Sequence, residues 1–132
     1  MLESRQTLGP TERLKSRKHI ALLFSSGDRI NVKNLRASYR RHTLDAGYLR
    51  AGFGVSARNF KRAVDRNRIR RQMREAWRLQ YTGLRSMVAT WPDSLDVFLI
   101  YTGREIPVYA EIFELVAVVI HKLNNRFNHE VR

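Results

Sequence analysis

The chain predicts a two-layer α+β sandwich, in which helices cover one face of a sheet. Three observations lead there. Period-2 alternation of apolar and polar residues at 35–41 and 48–56 reads as two half-buried strands. An apolar run, Leu95-Asp96-Val97-Phe98-Leu99-Ile100-Tyr101, reads as a central buried strand. Two long segments, about 63–81 and 108–127, repeat apolar residues at helical spacing. With a short helix ahead of them, the order is helix, two or more strands, helix, strand, helix.

Length and charge bound the function. At 132 residues, 43% of them hydrophobic, the chain is long enough for one buried core. Its net charge is +13 and its pI near 11.2, which makes a nucleic acid the leading class of partner. The charge is segregated: residues 1–92 hold 21 Lys/Arg against 6 Asp/Glu, and 93–132 hold 4 against 6. The basic footprint therefore belongs to the first two thirds. The absence of Cys excludes disulfides and thiolate metal sites. No apolar run approaches the ~20 residues of a membrane span and no signal-peptide core opens the chain, so the expectation is a soluble, cytoplasmic protein without a membrane partner.

Residues 1–12, with Gly9-Pro10 among charges, read as a mobile N-terminal arm, 13–127 as one domain and 128–132 as a tail. From Ser16, a candidate N-cap, Arg17 to Phe24 reads as a short helix with an apolar face of Ile20, Leu23 and Phe24, stopped by Ser25-Ser26-Gly27-Asp28. His19 reads as a solvated helix residue. The first alternating strand carries a basic outer face, and Asp45-Ala46-Gly47 turns the chain into the second. There Leu49, Ala51, Phe53 and Val55 face one way and Arg50, Gly52, Gly54 and Ser56 the other. The two glycines leave that face bare, either to permit twist or to let a flat group lie close. Leu84 to Ala89 extends the long basic helix by a turn. Pro107 opens the last helix, whose stripe is Val108, Ile112, Leu115, Val116, Val119, Ile120, Leu123 and Phe127.

The most distinctive stretch is 58–78, with nine Lys/Arg against Asp65 and Glu75. Arginines at 66, 70, 74 and 78 recur at i, i+4, which lines them along one face of a helix, while Ile69, Met73, Ala76 and Trp77 form an opposing apolar stripe. Arginine's planar fork grips phosphate bidentately, so this face suits a polyanion. Asn67 reads either as a cap or as a hydrogen-bonding amide. Phe24, Tyr39 and Tyr48 are core residues or platforms for unpaired bases.

Self-sufficient catalysis finds little support. Asp65 and Glu75 are about 15 Å apart on an ideal helix and are better used in ion pairs with neighbouring arginines. His19, His42, His121 and His129 show neither an i, i+4 ligand spacing nor a paired acidic neighbour. Gly52-Phe53-Gly54 lies inside a strand and is not followed by the Gly-Lys-Ser/Thr of a phosphate loop. The residues describe a binding protein without active-site chemistry of its own.

Arg66-Asn67-Arg68-Ile69-Arg70-Arg71, with Ala63-Val64 before it and Arg74-Glu75-Ala76-Trp77-Arg78 after it, resembles the signature helix of the protein subunit of bacterial ribonuclease P. Arg13-Leu14-Lys15 with Phe24 and Gly27, and Gly52-Phe53-Gly54-Val55-Ser56, match the same family in order and spacing over roughly 12–125. The resemblance implies a mixed sheet of about four strands with three helices. It also implies a left-handed β-α-β crossover, like the second domain of ribosomal protein S5 and contrary to the usual right-handed preference. It implies an endonuclease holoenzyme that removes the 5′ leader of precursor tRNA, in which a ribonuclease P RNA with its own Mg²⁺ performs catalysis and the protein is a monomer. By position, Arg58, Lys61, Arg62, Arg66, Asn67, Arg68, Arg70, Arg71 and Arg74 are candidates for contact with the catalytic RNA. Lys15, Ile20, Phe24 and Tyr39 are candidates for a leader cleft formed by the sheet and first helix. Two departures stand out. Ile20 replaces a common aromatic, and the segment between Ser56 and Ala63 is one residue longer, with Asn59-Phe60 in place of Val/Ile-Gly. The competing expectation, which composition alone favours, is a non-catalytic RNA-binding protein such as a ribosomal component or assembly factor.

Overall fold

The computed structural model describes residues 13–14, 17–43 and 46–128. The N-terminal arm, Lys15, Ser16, Asp45 of the turn, His129 and the last residues of the tail lie outside them. The elements are α1 (Arg17–Ser26), β1 (Asp28–Val32), β2 (Leu35–His42), β3 (Leu49–Val55), α2 (Ala63–Gln80), α3 (Thr82–Val88), β4 (Ser94–Tyr101) and α4 (Tyr109–Asn128). They form a four-stranded mixed sheet of order β1-β2-β4-β3. β2 pairs antiparallel with β1 and β4, and β3 pairs parallel with β4. Parallel neighbours need a crossover connection, and α2 with α3 supplies it.

Strand alternation separates the two faces. Leu35, Ala37 and Tyr39 of β2 line up with Tyr101, Leu99 and Val97 of β4, and Val97 and Leu95 with Ala51 and Leu49 of β3. This apolar face is the core, covered by α2 and α4. From α2 it receives Ile69, Met73, Ala76 and Trp77, and from α4 Ile112, Val116, Val119 and Leu123, all buried. Each large side chain so buried contributes roughly 1.5–3 kcal/mol. The other face carries Arg36, Ser38, Arg40 and His42 of β2, Ser94, Asp96, Phe98 and Ile100 of β4, and Arg50, Gly52 and Gly54 of β3. Among the described residues only α1 crosses it, leaving part of this polar face uncovered by them. Leu14, just before α1, donates its backbone N–H to the Ala51 carbonyl at 2.9 Å and so fastens the chain to the free edge of β3.

Several details differ from the sequence expectations. Ser25 and Ser26 remain helical, with both hydroxyls returned to the Leu22 carbonyl, and Gly27 alone ends α1. A Cβ at Gly27 would fall 2.5 Å from the Leu23 oxygen and 2.8 Å from that of Tyr39, so close approach to β2 requires glycine. Asp28 then begins β1, a strand the sequence reading did not resolve. Its two-residue turn places Lys33 in the left-handed region, φ 46°. There are four helices rather than three among the described residues. The chain bends at Tyr81, and α3 forms separately with Leu84 and Val88 buried. Val108 does not join the α4 stripe. It precedes the helix and is 70% exposed.

His19 and His42 also depart from expectation. Pairing of β2 with β4 brings Asp96 to the buried His42, with Nε2 3.1 Å from Oδ2. Arg50 approaches the other carboxylate oxygen at 3.8 Å. The His19 ring packs 5.8 Å from His42, so His19 is half-buried rather than solvated. His42 and Asp96 are 54 positions apart in sequence, and only strand register joins them. Together these groups form a polar seam under α1.

Candidate nucleic-acid interface

Two basic surfaces emerge, one on α2 and one on the open sheet face. On α2, an i, i+4 row drifts by about 40° per step because a turn holds 3.6 residues. The row 66, 70, 74, 78 therefore winds across the helix instead of staying on one face. Arg66 lies on the inner flank, where it donates to the backbone carbonyls of Phe60 (2.7 Å) and Lys61 (2.8 Å). Arg70 donates to the side-chain oxygen of Asn67, which settles Asn67 as a hydrogen-bonding amide. Arg78 is occupied by Glu75, Nε to Oε1 3.0 Å, and Arg62 lies 3.8 Å from Asp65. The hydrogen bond from Arg78 holds the Glu75 carboxyl below the usual carboxylate range, and Glu75 in turn raises Arg78. Both acids thus serve arginines, as the sequence suggested.

The outward crest of α2 is a shallow groove lined by Val64, Asn67, Arg70, Arg71 and Arg74. Lys61, Arg62 and Arg68 are exposed beside it. The buried stripe opposite, with Trp77 against Tyr81 and Phe53, fixes this crest rigidly to the sheet. A row of guanidinium groups on a rigid helix suits a phosphate backbone, since little helix entropy remains to be lost on binding.

The second surface is a cleft of about 710 Å³ on the open sheet face. Phe24 of α1 and Phe98 of β4 meet there edge to face, 5.3 Å between centroids. Arg36 and Ile100, neighbours across β2–β4, continue the floor, and Gly54, Val55 and Ser56 form the side. Arg58, Asn59, Thr102 and Arg104 form the rim. Three arginines around an aromatic floor can hold phosphates while a base stacks.

The predicted leader residues do not all come together here. Phe24 lines the cleft. Ile20 is half-buried on α1 and is not a lining residue, and Lys15 lies outside the described residues. Tyr39 is on the opposite, helix-covered face, buried against Phe127 at 5.8 Å, because odd-numbered residues of β2 point inward. Arg58, assigned by position with the α2 arginines, sits on the cleft rim. Sequence reasoning missed Arg36, Phe98 and Arg104. Phe98 was hidden in an apolar run read as wholly buried. The bare Gly52 and Gly54 opposite it were the available signal, since Phe98 pairs with Gly52 across β3–β4.

Among the described residues no group of three or more His, Asp or Glu is placed to hold a metal ion, and no helix is long and apolar enough to cross a membrane.

Comparison with known proteins converges on one family. The ribonuclease P family model matches residues 8–105. Ribonuclease P protein components from Nitrosococcus oceani and Porphyromonas gingivalis are 39% identical over 56 residues and 40% identical over 73 residues. These matches cover 42% and 54% of this chain, and the chain spans 45% and 53% of those relatives, about half their length. The Staphylococcus aureus ribonuclease P protein superposes with a TM-score of 0.65 at 18% identity, covering 85% of this chain and 94% of the other. That of Thermotoga maritima gives 0.64 at 21% identity, covering 84% and 96%. At such identities the two structures establish the shared fold. The family model covers well over half of the sequence, and on that ground the chain belongs to the ribonuclease P protein family.

Proposed function

We propose that this chain is the protein subunit of a bacterial ribonuclease P holoenzyme, which it serves by binding two RNAs on two surfaces. The arginine crest of α2 grips the catalytic RNA, and the cleft beneath α1 takes the single-stranded 5′ leader of precursor tRNA. The observation that carries this reading is the separation of the two surfaces. One is a rigid, arginine-rich helix face suited to phosphates. The other is an aromatic-floored cleft suited to unpaired nucleotides.

In this account the protein's contribution is placement. A leader base stacked on one of the two near-perpendicular rings, Phe24 or Phe98, contributes roughly 1–3 kcal/mol, and Arg36, Arg58 and Arg104 steady the flanking phosphates. Leader and catalytic RNA are then held against one body, which converts their encounter into an intramolecular one. Mg²⁺ supplies the charge stabilisation for phosphodiester hydrolysis, and on this reading the RNA partner holds it. The +13 charge further accelerates assembly with RNA.

Reconstitution tests the proposal. The purified protein is mixed with bacterial ribonuclease P RNA at low Mg²⁺, and release of the 5′ leader from precursor tRNA is followed. The expected result is faster cleavage than by RNA alone. No stimulation would sink the proposal in favour of a ribosomal or assembly role, and cleavage by protein alone would place the chemistry in this chain.

A further inference from the structure

The longer connection between β3 and α2 has a specific structural use. Its Asn59 side chain donates from Nδ2 to two backbone carbonyls of the segment after β4, Thr102 and Gly103, each at 3.1 Å. Both acceptors are carbonyl oxygens, so only the amide nitrogen can make these bonds. The next residue, Phe60, is buried and packs its ring 6.1 Å from Tyr101. Tyr101 in turn donates its hydroxyl to the Glu105 carbonyl at 2.9 Å. Burial and the nearby Glu111 and Glu105 carboxylates raise the Tyr101 pKa, which keeps that hydroxyl a donor. Gly103 makes room for it, since a Cβ there would lie 2.3 Å from the phenol oxygen.

The bracket is anchored at both ends. On one side Arg66 of α2 holds the carbonyls of Phe60 and Lys61. On the other, Thr102 donates its N–H to the Asn34 carbonyl of the β1–β2 turn at 2.8 Å. Immediately before Asn59 stands Arg58, and immediately after Gly103 stands Arg104. Both are exposed and both line the cleft.

We propose that Asn59 is a positioning residue for the leader. By tying the 57–61 loop to the 102–105 loop, it holds Arg58 and Arg104 on the same rim of the cleft, at a fixed spacing and a fixed distance from the α2 crest. The inference rests on the reading of this cleft as the leader site. Without the bracket each arginine rides on its own loop, and the ordering that the bracket provides in advance must be met on binding. Asn59 contributes through Arg104 and Arg58 and makes no claim on the bond being cleaved.

The test uses the reconstituted holoenzyme and two precursor tRNAs, one with a leader of several nucleotides and one with a single leader nucleotide. The readout is the ratio of their affinities. Asn59→Leu keeps the side-chain shape and removes the donor, and the ratio is expected to fall roughly five- to tenfold, in line with two lost hydrogen bonds. Asn59→Gln, which retains a donor, is expected to recover most of it, and Asn59→Ala, which also removes the donor, serves if the leucine variant does not fold. In an Arg104→Ala background the further effect of Asn59→Leu is expected to shrink to less than about twofold. A wild-type ratio in Asn59→Leu, or an undiminished loss in the Arg104→Ala background, overturns the positioning role. A ratio near one in the unmodified holoenzyme instead removes the leader site itself, and the inference with it.

Discussion

The Phe98 ring lies where a side chain on Gly52 would have to be. A Cβ built on Gly52 falls 2.6 Å from the ring's Cδ2, and one on Gly54 falls 2.9 Å from Cε1. The two glycines are bare so that a flat group can lie on the backbone, and that group is the protein's own phenyl ring. Gly52→Ala is expected to push Phe98 away from the sheet, costing about 1–3 kcal/mol in stability. It should also weaken leader binding more than binding to the catalytic RNA. Urea denaturation and the two RNA affinities together check this.

Arg66 and Arg71 differ in kind although both belong to the signature helix. Arg71→Ala, on the outward crest, should leave the denaturation midpoint unchanged. It should lower affinity for the catalytic RNA and flatten the salt dependence by roughly 0.7–0.9 log units per log unit of salt. Arg66→Ala removes the donor to two loop carbonyls and should cost roughly 1–2 kcal/mol of stability. Binding isotherms across a salt series, with denaturation curves for both variants, separate the two roles.

How far the sequence revealed this arrangement depends on the range of each signal. Local periodicity found α2, α4, β2 and β3, because amphipathic alternation is written within a few residues, and a continuous apolar run found β4. It failed for β1, five residues whose apolar members are only Ile30 and Val32. The arginine row was visible, but not its drift, which carries Arg66 to the half-buried inner flank. Phe98 could not be told from a core residue, because which face of β4 is covered depends on where α1 lands. The link from Asn59 to Thr102 and Gly103 spans more than 40 positions and leaves no local trace. The same is true of His42 and Asp96, joined only by the register of β2 and β4.

The Glu75–Arg78 pair predicts a pH dependence of definite sign. The folded-state pKa of Glu75 is lowered, chiefly by the hydrogen bond from Arg78. Its contribution to stability is therefore fully present above the ordinary carboxylate pKa and is lost as pH falls through the lowered folded value. The pair is partly solvent-exposed and screened on that side, so the effect on stability is small. NMR titration should place the Glu75 midpoint below that of an unpaired glutamate, and Arg78→Ala should bring it back up.

Lys33 occupies a left-handed conformation at the β1–β2 turn, φ 46°. Lys33→Gly relieves the contact between Cβ and backbone there and is expected to stabilise the fold by up to about 1 kcal/mol. A shift of the urea midpoint upward, with unchanged slope, is the expected observation.

The central claim is that two surfaces of one small body take two different RNAs, and site-specific cross-linking in the reconstituted holoenzyme tests it most directly. A photoreactive benzoylphenylalanine replaces Phe24 in one preparation and Arg71 in another, and the cross-linked RNA is mapped in each. The account predicts that position 24 labels the 5′ leader of precursor tRNA and position 71 labels the catalytic RNA. Leader cross-links from position 71, or none from position 24, would contradict it.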